Sequence, residues 1–241
     1  MVSVRTATVF SLLLALNAWA QDSASPLTAE QRADILMARK MYREAIDLYQ
    51  EGPRDSAVIW NKVGIAYHQM LQVDEARKYY EKAIKLNPNY SEAINNLGTV
   101  HYAKKNYRRA ITQYLKALKL TPKSASIYSN LGTAQFARKR YKEASESYQK
   151  ALALDPEVFE HRSSYGTLLQ ERNVGERARF HFYLAKTYAG AGNAERAMQY
   201  IRMALEEGFK EREKLMEDPD FAKLRETAEF KELMATEPRV L

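Results

Sequence analysis

Residues 57–90 read AVIWNKVGIAYHQMLQVDEARKYYEKAIKLNPNY, and their pattern of small and aromatic side chains returns twice more along the chain. The next two segments are SEAINNLGTVHYAKKNYRRAITQYLKALKLTPKS (91–124) and ASIYSNLGTAQFARKRYKEASESYQKALALDPEV (125–158). A glycine, two alanines, a tyrosine and a proline recur every 34 residues: Gly64, Gly98 and Gly132; Ala76, Ala110 and Ala144; Ala83, Ala117 and Ala151; Tyr80, Tyr114 and Tyr148; Pro88, Pro122 and Pro156. A fixed period of this length indicates an array of small structural repeats.

Each segment predicts a pair of helices. In the first segment Trp60, Gly64 and Tyr67 follow one another at spacings of four and three residues, which places them on one face of a helix. The recurring alanines and tyrosine of the second half keep helical spacing too. Between the halves, residues 72–75 supply a turn and a capping aspartate. The closing proline cannot continue a helix, so the second helix ends before it.

The recurring small residues predict close packing of the paired helices. Gly64 and Ala83 carry little or no side chain, so they leave room where two helix backbones approach each other. Tyr80 recurs with the same period and is expected to fill the space beside the glycine.

The pattern of residues 57–158 resembles the tetratricopeptide repeat, whose signature is W-x2-L-G-x2-Y, then A-x3-F, then A, then P. The first segment matches at nearly every position, while His101 and Gln135 replace the aromatic residue in the first helix of the next two. The resemblance implies an all-α, right-handed α-solenoid in which each segment is one helix-turn-helix repeat, with degenerate repeats at both ends.

The two ends of the array match the pattern less well. Residues 21–56 are expected to form a linker and a degenerate helix pair. Residues 212–241 carry Leu224, Phe230 and Leu233 and are expected to cap the exposed apolar end of the stack.

Two repeat registers remain open between residues 159 and 190. One continues the old 34-residue phase through Gly166. The favoured one starts a fourth, degenerate repeat over 178–211, because residues 189–193 make a natural turn between its helices. It leaves residues 159–177 as an inserted helix.

The first twenty residues have the layout of a secretory signal peptide. Arg5 precedes an apolar run over residues 9–16, and the small residues Ala18 and Ala20 suit a cut after Ala20. The run is shorter than the ~20 residues that a membrane-spanning helix needs, although an uncleaved N-terminal anchor is the alternative. We therefore expect a periplasmic or secreted bacterial protein that has no membrane span once the signal is removed.

The composition excludes several chemistries. The 241 residues contain no cysteine, which rules out disulfides, thiolate metal sites and a cysteine nucleophile. The four histidines, at positions 68, 101, 161 and 181, lack the partners of a zinc motif, and no phosphate-binding loop or nucleophile elbow occurs. We expect no metal, no cofactor and no enzymatic activity.

The net charge of +7 is concentrated in one part of the chain. Residues 101–150 hold twelve Lys and Arg but two Asp and Glu. Two clusters lie about one repeat apart at the equivalent turn, and they predict one basic edge along the array: Lys104, Lys105, Arg108, Arg109, Arg138, Lys139, Arg140 and Lys142. The edge suits an anionic lipid, an envelope polymer or an acidic protein, unless it only aids solubility. Nucleic acid is disfavoured, because export separates the protein from it.

The resemblance also implies a concave groove lined by the first helices of the repeats. The expected groove residues are Asn61, Asn95, Asn96, Thr99, Tyr102, Asn130, Thr133 and Phe136. Amides can bond to a peptide backbone, and aromatic side chains offer apolar contact. Alternatively, the asparagines bond within the array and the aromatic residues pack between helices. Lys62 is the one cation placed near the groove, which disfavours a clamp for a C-terminal carboxylate.

These features predict a non-catalytic protein–protein interaction scaffold of the bacterial cell envelope. It would bind an extended peptide or a partner protein in the groove. The alternative is an electrostatic binder of an acidic envelope component through the basic edge.

Overall fold

Helices and short turns make up the residues that the computed structural model describes, 26–159 and 174–235, where no β-strand occurs. The predicted signal peptide and most of the predicted inserted helix lie outside these residues. The long helices are α1 (Ala29–Ala38), α2 (Tyr42–Gln50), α3 (Ala57–Gln69), α4 (Val73–Leu86), α5 (Ser91–Ala103), α6 (Tyr107–Leu120), α7 (Ala125–Ala137), α8 (Tyr141–Leu154), α9 (Val174–Gly190) and α10 (Ala194–Glu206). The C-terminal segment contains α11 (Glu213–Glu217), a 3-10 turn (Pro219–Phe221), α12 (Ala222–Arg225) and α13 (Ala228–Ala235).

The helices stack as a continuous series of pairs. The helices of each pair, from α1 with α2 to α9 with α10, pack closely on each other, and the second helix of a pair packs on the first helix of the next. First helices also touch directly, α3 on α5 and α5 on α7. This arrangement confirms the predicted all-α solenoid, in which each unit contacts mainly its neighbours.

The predicted contact between glycine and tyrosine is confirmed in all three central repeats. A Cβ atom added to Gly98 would lie 2.5 Å from Cε1 of Tyr114, and the corresponding distances from Gly64 and Gly132 to their tyrosine rings are 2.6 Å. The three tyrosines are almost completely buried. The rings therefore pack against the bare helix backbone, which only glycine allows.

Tight turns join the two helices of each pair, and each turn contains a left-handed residue. Its φ is 62° at Lys40, 60° at Leu71, 58° at Lys105, 59° at Lys139 and 79° at Gly192. In the α3–α4 turn the backbone N–H of the following residue bonds back to the Tyr67 carbonyl over 2.9 Å, which closes the end of α3. Four of these positions thus bear a side chain where glycine would fit with less strain.

Replacing Leu71 with glycine is expected to raise the free energy of unfolding by about 0.5–1 kcal/mol. The leucine side chain is 77% exposed, so its removal costs little packing, while the left-handed backbone strain disappears. Urea unfolding followed by circular dichroism measures the change. The matched control Glu81→Gly, on the exposed surface of α4, should instead lose about 1 kcal/mol. Destabilisation by both changes would contradict the strain at Leu71.

The C-terminal segment packs its apolar side chains on the last helix pair. Phe182 of α9 stacks on Phe209 with ring centroids 4.6 Å apart, and the Phe221 ring lies 5.7 Å from Phe182. Leu224 and Phe230 are buried in the same cluster. Residues 209–230 thereby shield the apolar end of the array from water.

Candidate protein-binding surface

Four asparagines link the first helices of the three central repeats. Asn96 Nδ2 donates to Asn61 Oδ1 over 3.0 Å, and Asn130 Nδ2 donates to Asn95 Oδ1 over 3.1 Å. Within α5, Asn95 Nδ2 lies 3.3 Å from Asn96 Oδ1. The four side chains, called here the asparagine ladder, are only 1–4% exposed. Adjacent first helices approach so closely that the amides bond one another across the gap.

The structure therefore places the four predicted groove asparagines in the interior of the array. Their side chains form hydrogen bonds within the array, which agrees with the alternative interpretation of the sequence: Asn61, Asn95, Asn96 and Asn130. That they line a partner-binding groove stays a prediction.

The remaining predicted groove residues are also mostly interior. The Thr99 and Thr133 hydroxyls donate to backbone carbonyls of their own helices, over 2.7 and 2.9 Å. Phe136 is buried, and its ring centroid lies 5.4 Å from that of Phe180 on α9. Tyr102 is half-buried and its ring lies 5.2 Å from that of Tyr107. Among the eight, Tyr102 alone keeps substantial access to solvent.

A strip of accessible side chains lies one helical turn from the buried rows. Val58 and Glu92 are exposed and Ser126 is half-buried, and each precedes a ladder residue by three or four positions. Tyr102 follows Thr99 by three, so these side chains share the ladder's face of the first helices. Val58, Glu92, Tyr102 and Ser126 are called here the groove strip. Val58, Glu92 and Ser126 were not among the predicted groove residues, although their spacing of 34 residues could have identified them.

Lys62, the one cation placed near the groove, is already paired with α1. Its ammonium lies 2.7 Å from Glu30 Oε1 and 2.7 Å from Asp34 Oδ2. Burial works against the charge, but the hydrogen bonds to Asp34 and Glu30 outweigh it and raise the Lys62 pKa. Lys62 therefore fixes α1 to α3 rather than offering a free positive charge.

The basic edge is formed by the α5–α6 and α7–α8 turns and the first residues of α6 and α8. Lys104 Nζ lies 2.5 Å from Asp74 Oδ1, and Arg140 Nη2 lies 2.7 Å from Glu143 Oε1. Within residues 26–159 and 174–235, the other six side chains make no ion pair, and all except the half-buried Arg138 are exposed: Lys105, Arg108, Arg109, Arg138, Lys139 and Lys142. Most of the positive charge of the edge is thus uncompensated.

Three histidines, His68, His101 and His181, lie within the described residues. Burial lowers the pKa of His68, and burial together with nearby Arg109 lowers that of His101. Burial also lowers the His181 pKa, although Glu207 opposes it with Oε2 lying 2.8 Å from His181 Nδ1. His161 lies outside the described residues. In the described part of the chain, no three side chains of the types that bind metals come together.

A cleft of about 320 Å³ lies between α9 and the C-terminal segment. Its lining side chains are Phe182, Tyr183, Lys186, Lys214, Glu217 and Asp218. Lys186 Nζ lies 2.5 Å from Asp218 Oδ2, and Lys214 pairs with Glu211. The lysines of the cleft are therefore balanced by neighbouring carboxylates.

Stacked helix pairs whose two helices are joined by turns of equal length define a helical-repeat solenoid. Two family models, both described as Tetratricopeptide repeat, match the chain: one over residues 55–123 and 90–157, the other over residues 162–209. Together they match well over half of the sequence. The chain belongs to the tetratricopeptide repeat family.

Curated relatives match parts of the chain. One relative is Tetratricopeptide repeat domain-containing protein PYG7, chloroplastic, of Arabidopsis thaliana. The two proteins are 32% identical over 74 residues, and the matched segment covers 31% of this chain and 25% of that protein. The chain is 28% identical over 76 residues to Photosystem I assembly protein Ycf3 of Rippkaea orientalis, which covers 32% of this chain and 43% of that protein. The match thus spans less than half the length of either relative.

Solved structures share the fold at low identity. MamA from Desulfovibrio magneticus RS-1 superposes with a TM-score of 0.52 and 20% identity, covering 74% of this chain and 92% of that one. MamA of AMB-1 gives 0.51 and 20% identity, covering 75% and 98%. At this identity the likeness shows the solenoid fold alone.

Proposed function

We propose that this protein is a non-catalytic scaffold of the bacterial cell envelope, and that it holds an extended peptide or a partner protein against the first helices of its repeats. The observation that carries the proposal is the groove strip beside the asparagine ladder. Val58, Glu92 and Ser126 occupy the same position in three successive repeats, so the strip offers equivalent contact points once per repeat. An extended ligand suits such a linear row.

The asparagine ladder supports this mechanism by fixing the spacing of those points. A buried hydrogen bond between the side-chain amides of Asn61 and Asn96 ties α3 to α5, and one between those of Asn95 and Asn130 ties α5 to α7. Buried, fully paired polar groups resist sliding, because each displaced amide would lose its partner away from water. A surface that is ordered before binding loses less entropy when it takes up a partner.

The relatives support a role in holding proteins together. The name of Photosystem I assembly protein Ycf3 attributes to that protein a part in the assembly of a protein complex. A comparable role for this chain, with other partners, is part of the proposal.

Export to the envelope is also part of the proposal. It is supported by the charge, the apolar run and the small residues of positions 1–20, which together favour a secretory signal peptide. Among the helices that the structure describes, none is long and apolar enough to cross a membrane.

A photocrosslinking amino acid placed at groove-strip positions is expected to capture a protein partner in cells that encode this chain. The positions are Val58, Glu92 and Tyr102, where the side chain has access to solvent. The matched control is Glu81, exposed on α4, the second helix of the first central repeat. Adducts at the groove strip with none at Glu81 support the proposal. Adducts at Glu81 alone, or at neither place, contradict it.

A second candidate function is binding of an acidic envelope component by the basic edge. The observation that favours it is the absence of ion pairs, within the described residues, at six of the eight edge side chains. Exposed charges attract an acidic partner over about 8 Å at physiological ionic strength. Such binding should weaken steeply as salt is added, whereas binding at the groove strip should not.

A further inference from the structure

The outer face of α6 continues the basic edge along a whole helix. Arg108, Arg109, Lys116 and Lys119 are all exposed, and helical spacing places them on one side of α6. The sequence contains no Asp or Glu between Glu92 and Glu143. In the described part of the chain, none of the four cations makes an ion pair. This face therefore presents positive charge that the protein itself leaves uncompensated.

Exposed leucines accompany these cations. Leu115 and Leu120, on the two flanks of the same face, are 46% and 38% exposed. Leu86 and Leu154 occupy the position of Leu120 in the neighbouring repeats and are 43% and 41% exposed. Leucine at three successive repeat ends gives this side of the array a row of apolar contact points beside its lysines.

The combination of cations and leucines distinguishes between acidic partners. A nucleic acid or an acidic polymer would neutralise Lys116 and Lys119 but would leave Leu115 and Leu120 in water. An anionic bilayer satisfies both kinds of side chain, because its headgroups attract the cations and its acyl boundary accepts the leucines. Lysine stems are long enough to let the apolar residues approach while the ammonium groups stay at headgroup level.

We propose that the outer face of α6, comprising Arg108, Arg109, Leu115, Lys116, Lys119 and Leu120, docks on membranes that contain anionic phospholipids. This inference rests on the second candidate function, because it identifies anionic phospholipid as the acidic component that the basic edge binds. It leaves the groove strip free, so the protein would present a partner while attached to a lipid surface.

Cosedimentation of residues 21–241, the chain that remains after the proposed cut, with vesicles tests this docking. Vesicles of phosphatidylcholine mixed with phosphatidylglycerol are expected to bind the protein, and vesicles of phosphatidylcholine alone are expected to bind it much less. Lys116→Glu with Lys119→Glu should weaken binding to the anionic vesicles by at least about tenfold, because each cation near such a surface contributes about fivefold. The matched control Lys210→Glu with Lys223→Glu, at exposed lysines of the C-terminal region, should bind like the unchanged protein.

Leucine variants separate lipid from other acidic partners. Leu115→Ser with Leu120→Ser keeps all charges and should weaken binding to anionic vesicles by about fivefold or more, because less apolar surface leaves water. Binding to soluble polyglutamate should not change. The control Leu27→Ser removes an exposed leucine near α1 and should have no effect on either. Every variant consists of residues 21–241, so the apolar run over residues 9–16 does not contribute to vesicle binding.

Three outcomes would overturn the inference. Equal binding to neutral and anionic vesicles would show that the cations do not contribute. Binding to polyglutamate without binding to vesicles would retain the basic-edge function but exclude lipid as its target. Vesicle binding that is unaffected by the lysine and leucine variants, while circular dichroism shows them folded, would place the contact elsewhere.

Discussion

Replacing Gly98 with alanine is expected to lower the free energy of unfolding by about 2–3 kcal/mol. The new Cβ would stand 2.5 Å from Cε1 and 2.7 Å from Cδ1 of Tyr114, distances that no relaxed contact shows. The tyrosine ring is completely buried between helices and cannot rotate away without moving its neighbours. The strain of the added methyl group outweighs the higher helix propensity of alanine, which alone would stabilise by about 1 kcal/mol.

Two comparisons isolate the contact as the cause. Gly190→Ala, at the end of α9, meets nothing closer than 3.6 Å and should be neutral or slightly stabilising. In a double-mutant cycle, Tyr114→Leu should cost less in the Gly98→Ala background than in the unchanged protein, because the smaller side chain relieves the clash. Urea unfolding gives all four free energies. Additive effects, or a stable Gly98→Ala variant, would show that the ring does not press on this backbone.

The packing of the repeats could be predicted from the sequence because its determinants lie within one 34-residue period. Gly64 and Tyr80 stand 16 residues apart in one helix pair, and their contact follows once the two helices are drawn antiparallel. The glycine recurs at Gly98 and Gly132, so the sequence predicts the same packing in the next two repeats. The fold class depends on such local contacts, and it was therefore visible in the sequence.

The candidate site was less predictable because it depends on distances between repeats. The sequence places Asn96 and Asn130 on the face of the first helices, but it does not show how closely α3, α5 and α7 approach one another. Phe136 illustrates a second cause. It occupies the repeat position of the half-buried Tyr102, yet it is buried because Phe180 and Tyr183 of α9 pack on it, and α9 departs from the regular pattern.

The exposed cations were predictable for the opposite reason. Lysine and arginine are rarely buried without a partner, so an excess of them in residues 101–150 had to reach the surface. Which of them find a partner is a matter of single contacts between repeats. Lys104 pairs with Asp74 of the preceding repeat. Lys105 and Lys139, which occupy the same position in successive repeats, pair with no carboxylate among the described residues.

Replacing Asn96 with aspartate is expected to destabilise the protein by about 3 kcal/mol at neutral pH. The substitution keeps the shape of the side chain but replaces the Nδ2 group that donates to Asn61 Oδ1 by a carboxylate oxygen. Position 96 is 2% exposed, so the charge would be buried and would face the oxygen of Asn61. Both effects favour the protonated acid and raise its pKa by about two units in the folded protein.

The destabilisation should depend on pH in a defined direction. Below about pH 4 the acid is protonated in the folded and the unfolded protein, and its O–H can donate to Asn61 Oδ1, so the variant is close to the unchanged protein. As the pH rises, the unfolded chain releases its proton first, and the stability of the variant falls by about 1.4 kcal/mol per pH unit. The loss levels off once the pH exceeds the raised pKa of the folded state.

Urea unfolding of the variant and of the unchanged protein, from about pH 4 to about pH 8, gives this difference directly. The matched control is Asn89→Asp in the exposed loop between α4 and α5, where the carboxylate stays in water and the difference should remain near zero throughout. A flat, small difference for Asn96→Asp would mean that water reaches the ladder. In that case the asparagines would again be available to a partner, and the groove would extend over the residues that the sequence first indicated.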